Sequence, residues 1–352
     1  MAEKSKIEWT DSTFNPWEGC TKVGPGCDHC YAENRNARFA GGQAINWGAG
    51  APRRRTSKPN WNKPALWNKQ PFYQCDGCGW RGHEPQTKGA LFDRLASCPN
   101  CDDMNLSTTR RRVFCASLAD VFDNEVDPQW RLELFDLIEQ TPNLDWLMLT
   151  KRIGNVSRML PERWRRVLPP NVWLGITVVN QEEADRDIPK LLTLNATVRF
   201  LSMEPLLGSV DLSKWLDLVE REPGNWVRRN IGQLDDMLDW VIVGGETGSG
   251  ARPLHPDWAY DIKSQCESAN VPFLFKQWGD WANPGTEGFG VHEGHVEHIR
   301  SDGTFWGDQL PHDEDADVLT VVRLGKHLTG RRLGGETWDG YPVRMHKEMS
   351  NE

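Results

Sequence analysis

LDWLMLTK, residues 144–151, decides the fold. Apart from Asp145 its apolar side chains do not alternate with polar ones, and the run ends on Thr150 and Lys151. A strand with one face in water alternates, whereas a strand covered on both faces reads as a continuous apolar run, the habit of parallel sheets. Similar runs recur as VFCASLAD (113–120), VWLGITVV (172–179), VRFLSMEP (198–205), DWVIVGGE (239–246) and VPFLFKQW (271–278). Helical stretches lie between several of them: DPQWRLELFDLIEQT (127–141), QEEADRDIPKLLTLN (181–195) and PDWAYDIKSQCESAN (256–270). Asp127 and Pro128 supply the side-chain acceptor and the fixed φ that open a helix. Pro189 weakens or splits the second stretch.

This alternation, with crossovers long enough for parallel pairing, predicts an α/β protein. Six such runs, and a seventh near residues 8–17, suit a full or partial β/α (TIM-like) barrel, with a doubly wound open sheet as the alternative. The polar residues fall at the C-terminal ends of the runs: Ser117 and Asp120, Thr150 and Lys151, Thr177, Glu204, Glu246, and Lys276 and Gln277. That is the end at which barrels build their sites, although any one of these residues alone reads equally well as a strand-end cap.

The chain of 352 residues is 38% hydrophobic and 26% charged, a globular rather than a disordered balance. A net charge of −9 argues against a surface that is basic throughout. Arg53–Arg55, Arg110–Arg112 and Arg163, Arg165 and Arg166 form local basic clusters, against the acidic HDEDAD at 312–317, so a local nucleic-acid face is compatible with the charge. Eighteen Trp, several in polar surroundings such as NWNKPALWNK (60–69), suggest either loop packing or an aromatic surface for a planar substrate. No segment has the apolar length of a signal peptide or a membrane span, so a soluble, cytoplasmic protein without a membrane partner is expected. Thiols stay reduced there, and nine cysteines point to metal or catalysis rather than disulfides.

Cys75-x2-Cys78 is followed, after nineteen residues, by Cys98-x2-Cys101. Two such knuckles supply four thiolates in a tetrahedron, the donor set of a structural Zn²⁺ ribbon. The ribbon (71–108) lies in an insertion (41–112), and Arg81, His83, Lys88 and Arg94 give only modest support for its contacting a nucleic acid. Cys115 and Cys266 stand in an apolar run and a helix and read as buried thiols. Cys20, Cys27 and Cys30 remain, in GCTKVGPGCDHCYAE (19–33). They suit a Zn²⁺ site completed by His29 or water, or a [4Fe–4S] cluster with one iron left for another ligand. His292, His295 and His298 could ligate a metal with Glu293 or Glu297, but Gly294 favours a solvated loop or hairpin. GETGSGARP (245–253) is a glycine-rich loop without a Walker or dinucleotide ending.

A three-cysteine loop after a first strand, followed by β/α repeats, resembles the radical S-adenosylmethionine enzymes. More closely, IEWTDSTFNPWEGCTKVGPGCDHCYAE, VFCASLADVFD, WLMLTKR, WLGITVVNQ, RFLSMEPLLG, WVIVGGETGSGARP and FKQWG resemble the phage-associated gene product 37/68 (three-Cys-motif) family, over residues 7 to about 279. The spacing here is C-x6-C-x2-C rather than the commoner C-x3-C-x2-C, with His29 where an aromatic usually precedes the last Cys. The resemblance implies a barrel of the radical S-adenosylmethionine type in which Cys20, Cys27 and Cys30 hold a [4Fe–4S] cluster. S-adenosylmethionine would then lie near Ser117, Asp120, Thr150, Lys151, Thr177 and Glu204. An external electron donor would drive formation of a 5′-deoxyadenosyl radical. Lys276 and Gln277 are the candidate catalytic donors, with a salt bridge to Glu204 or Glu246 as the plainer role. GGE at 244–246 stands on a late strand, so no cofactor role passes to Glu246. SLADVF (117–122) distantly resembles the spore photoproduct lyase branch, which makes nucleic acid or a nucleotide the expected substrate. The alternatives are a non-catalytic zinc protein binding nucleic acid or a protein partner, and a barrel enzyme using its acids and lysines directly. The expected organisation is a first strand and cysteine loop (1–40), the insertion (41–112), the remaining repeats (113–279) and a C-terminal extension (280–352).

Overall fold

The computed structural model describes residues 2–83, 86–88, 95–222, 225–228, 237–283, 294–306 and 317–342. Arg94, His292, Glu293 and most of the acidic stretch at 312–317 lie outside the described residues.

Seven strands form one parallel sheet, curled as a half-barrel: β1 (Ser12–Phe14), β2 (Arg111–Cys115), β3 (Leu144–Thr150), β4 (Val172–Thr177), β5 (Val198–Met203), β6 (Trp240–Gly244) and β7 (Phe273–Gln277). Their order in space is their order in the chain. That is the winding of a barrel, in which each crossover returns to the next position. A doubly wound sheet would reverse direction at an internal strand. Burial explains the apolar runs: β2, β4, β5 and β6 are buried at every residue. In register, Trp146 stands beside Val113 and Met148 beside Cys115.

Five helices matter for the site: α1 (Tyr31–Phe39), α2 (Pro128–Glu139), α3 (Ile153–Met159), α4 (Gln181–Leu192) and α5 (Pro256–Ala269). Asp127 caps α2 by accepting from Gln129 N at 2.8 Å, as its sequence predicts. Asn180 caps α4 by accepting from Glu183 N at 2.9 Å. α4 is not split by Pro189; the lost hydrogen bond is outweighed by a face that buries Ala184, Ile188 and Leu191.

The chain divides into two compact units. The first comprises Met1–Val23, Ala32–Leu174 and Leu194–Thr197, the second Gly24–Tyr31, Gly175–Thr193 and Val198–Glu352. Tryptophan fills much of the interior: Trp9, Trp17, Trp146, Trp164, Trp240 and Trp278 are fully buried. In the first unit Trp146 meets Phe14 edge-on at 5.6 Å and donates from Nε1 to Thr141 Oγ1 at 3.0 Å. Even Trp67 of the polar stretch 60–69 is buried, with the Arg111 guanidinium 5.3 Å from its ring. In the second unit His295–Arg300 pairs antiparallel with Val318–Arg323, and His298 Nδ1 lies 3.0 Å from Thr320 Oγ1. His295 and His298 therefore lie on one strand of an antiparallel pair, in keeping with the hairpin that the sequence favoured over a metal site.

The basic clusters are largely paired. Arg53 is buried, Arg54 pairs with Glu18, and Arg55 pairs with Glu133 while its guanidinium lies 4.5 Å from the Trp61 ring. Arg163 pairs with Asp136 and Glu139, and Arg165 with Glu162. Arg81 and Arg112 meet on one buried carboxylate, Asp11: Arg81 Nε lies 3.0 Å from Oδ1, and Arg112 N donates to Oδ2 at 2.7 Å. Burial raises the Asp11 pKa, but the Arg112 and Arg81 charges and their hydrogen bonds outweigh it, so the carboxyl titrates below its usual range. Asp11 thus stabilises the fold fully above the ordinary carboxylate pKa, and the contribution is lost as pH falls through its depressed folded value. Asp11→Asn should remove this acid limb from a stability-versus-pH profile. Leaving two buried guanidiniums without a carboxylate should cost about 3–5 kcal/mol in denaturant unfolding at neutral pH.

Candidate metal centres

The first centre is formed by Cys75, Cys78, Cys98 and Cys101, whose sulfurs all lie within 4.8 Å of one another, close enough to hold a metal ion. Two turns of one design present them. Cys75 O accepts from Gly79 N at 3.0 Å and Cys75 N donates to Trp80 O at 2.8 Å. Cys98 O accepts from Asp102 N at 3.0 Å and Cys98 N donates to Asp103 O at 2.8 Å. Each turn places the residue after its second cysteine in the left-handed region, Gly79 at φ 72° and Asp102 at φ 66°. Glycine reaches that conformation freely and aspartate tolerates it. Asn100 adds a donor to each turn, N to Cys98 Sγ at 3.3 Å and Nδ2 to Cys78 Sγ at 3.4 Å. The Asn100 amide and the Trp80 N–H lower the Cys78 pKa to about 6, while the neighbouring sulfurs hold the Cys101 thiol up, so without a metal the negative charge settles on Cys78. Strands Tyr73–Cys75, Arg81–Gly82 and Leu106–Thr108 form the small sheet that carries these turns.

Cys20 belongs to the first unit and is half-buried. Its surroundings converge on Asp120. The Asp120 carboxylate accepts from Phe122 N at 2.9 Å and Thr150 Oγ1 at 2.8 Å on one oxygen, and from Lys151 N at 3.0 Å and Arg152 Nη1 at 3.1 Å on the other. Three residues predicted to touch a cofactor, Asp120, Thr150 and Lys151, are therefore bound to one another, Lys151 through its backbone N–H. Arg152 continues outward, donating from Nη2 to Thr21 O at 2.5 Å and from Nη1 to Cys20 Sγ at 3.4 Å. Burial and the Asp120 charge push the Cys20 thiol up to about 11, against the pull of Arg152. Arg53 braces the same loop, donating to Thr21 Oγ1 at 2.7 Å and to Asp123 Oδ2 at 2.7 Å. Sequence reasoning missed both arginines. Arg53 was hidden in a basic cluster, and Arg152 followed a lysine that drew the attention. Ser117 lies at the ends of β1 and β2, where its hydroxyl receives Asn15 Nδ2 at 3.0 Å.

Cys27 and Cys30 belong to the second unit, within Gly24–Tyr31. Arg252 clamps that segment, donating to Pro25 O at 2.8 Å and to Asp28 Oδ2 at 3.0 Å. Its position is set in turn by Glu246, which receives Arg252 Nε at 2.9 Å, Nη2 at 2.8 Å and the backbone N at 2.9 Å. His29 packs over Gly250, where an added Cβ would stand 2.6 Å from the ring. The glycine-rich loop 245–253 thus grips the cysteine segment. In the same unit Glu204 Oε1 receives Lys276 Nζ at 2.5 Å and Gln277 Nε2 at 3.1 Å. The predicted catalytic pair and one predicted cofactor residue form this cluster, in which Gln277 Oε1 is buried without a hydrogen-bond partner among the described residues. Thr177 is buried at the end of β4. Cys115 and Cys266 are fully buried, and burial pushes both thiols up.

A parallel β/α half-barrel bearing a four-cysteine metal group and a separate three-cysteine loop is the class that fold and geometry define. The chain belongs to the family described as protein of unknown function (DUF5131), whose model matches residues 4–342. No curated protein and no solved structure matches it. Among the described residues, no helix is long and apolar enough to cross a membrane.

The equivalent turns give two tests. Cys98→Ala should remove the metal of the four-cysteine group, read by elemental analysis, and open 71–108 to limited proteolysis. Asp102→Gly should leave thermal stability intact, whereas Asp102→Ala should cost about 1–2 kcal/mol, because alanine has neither the glycine's freedom nor the aspartate's local hydrogen bonding in the left-handed region.

Proposed function

We propose that the protein is an iron–sulfur enzyme of the radical S-adenosylmethionine type, acting on a nucleic acid or nucleotide, with Zn²⁺ in the four-cysteine group. The carrying observation is the treatment of the three-cysteine loop. Arg152 and Arg53 hold the Cys20–Thr21 end to polar groups past the ends of β2 and β3, and Arg252 holds the segment bearing Cys27 and Cys30. A loop bound by two buried arginines, Arg53 and Arg152, and by the partly exposed Arg252 reads as a preorganised ligand set rather than a passing connection.

The donor chemistry fits a cluster. Among the described residues, the four-cysteine group is the one whose ligand atoms close to the spacing of a single ion. Cys20, Cys27 and Cys30 offer three thiols, the donor type that holds iron–sulfur clusters. Three thiolates leave one iron without a protein ligand. Held by Cys20, Cys27 and Cys30, a cluster would supply the electron for reductive cleavage of S-adenosylmethionine. The chain's own contributions are to hold the loop, to place an N–H against the Cys20 sulfur and to keep the Glu204–Lys276–Gln277 cluster in a largely buried setting. In that cluster Lys276 is positioned to hold a proton near a substrate and Gln277 Oε1 to accept a hydrogen bond from one.

The test is turnover. Anaerobically reconstituted protein, reduced with dithionite in the presence of S-adenosylmethionine, should release 5′-deoxyadenosine and methionine, and Cys27→Ala should abolish the release. Equal release from native protein and Cys27→Ala would contradict the reading. Lys276→Met should leave iron content unchanged while lowering turnover on substrate at least about 100-fold, the range expected for a lost proton donor.

A further inference from the structure

We propose that Arg152 sets the reduction potential of the cluster through Cys20, an inference that rests on the iron–sulfur reading above. The observation is a direct contact, Arg152 Nη1 donating to Cys20 Sγ at 3.4 Å, from a guanidinium whose side chain is 7% exposed. Asp120 fixes that guanidinium at 3.1 Å, and Thr21 O takes its second nitrogen at 2.5 Å. The planar fork therefore reaches three partners at once: a carboxylate, a loop carbonyl and the sulfur.

Hydrogen bonds to ligand sulfurs and the charge around them are among the levers by which a protein sets cluster potential. An N–H on a thiolate withdraws electron density, and a buried cation stabilises the extra negative charge that the cluster gains on reduction. Both effects act in one direction. Reduction of [4Fe–4S]²⁺ to [4Fe–4S]⁺ adds one electron, taken from dithionite in the assay, and Arg152 makes that addition easier. Lysine cannot reproduce the arrangement: its point-like ammonium satisfies Asp120 but lacks the rigid fork that spans sulfur and carbonyl together. Arg163 provides an internal comparison, because its exposed guanidinium pairs with Asp136 and Glu139 rather than with a sulfur.

The experiment is a redox titration of the full-length, anaerobically reconstituted protein, followed by the electron paramagnetic resonance signal of the reduced cluster. Arg152→Lys and the paired variant Asp120→Asn with Arg152→Gln, which leaves no unpaired buried charge, are compared with Arg163→Lys. Both Arg152 variants should keep native iron content and shift the midpoint to more negative potential, with Arg163→Lys at the native value. Iron retained with an unchanged midpoint in both Arg152 variants would overturn the inference and leave the iron–sulfur reading standing. Loss of iron from both, with the four-cysteine metal retained, would also overturn it, reducing Arg152 to a structural role. Native protein that takes up zinc and no iron would defeat the underlying reading, and the inference with it.

Discussion

The Asp120 carboxylate, with Arg152 beside it, is the interaction on which the first unit's functional end depends. Two buried oxygens receive four donors from two strand-end segments: Phe122 in the segment after β2, and Thr150, Lys151 and Arg152 at the end of β3. A buried carboxylate without such partners would carry a large desolvation penalty, and a buried guanidinium would carry its own. Together they satisfy each other and still leave one guanidinium N–H aimed at the Cys20 sulfur. The ion pair thus joins the strand ends to the loop that carries Cys20.

Much of the sheet was legible because its cause is local. Unbroken apolar runs of strand length imply burial on both faces, and helical stretches between them imply parallel crossovers. The seven strands lie where those runs stand, although β2 stops at Cys115, short of the polar end of VFCASLAD. The four-cysteine group was legible for the same reason, since each CxxC pair is a single turn whose geometry is set within a few residues.

The candidate site was legible only in outline. Strand-end polarity singled out Asp120, Thr150 and Lys151, and also Glu204, Lys276 and Gln277, as candidate contacts for a cofactor or substrate, and the structure joins them into two clusters. The Lys276–Glu204 salt bridge was named in the sequence as the plainer role, whereas the pairing of Asp120 with Arg152 joins residues far apart in the chain and left no local sign. The arginines were misread for the same reason. Arg53, Arg81, Arg111 and Arg112 look in sequence like a basic surface, yet each is buried or half-buried, and a carboxylate distant in sequence lies near each one. Nothing in a run of arginines reveals whether a distant Asp11 or Asp123 will fold against it.

Two metal sites of different chemistry in one chain is the central claim: four thiolates closed around a single ion, and three held open by arginines for a cluster. Iron, sulfide and zinc analysis of anaerobically reconstituted native protein, beside Cys20→Ala, addresses it directly. The account requires about four iron and four sulfide per native chain with one zinc, and loss of the iron and sulfide alone in Cys20→Ala. Two zinc ions per native chain without sulfide, falling to one in Cys20→Ala, would contradict it.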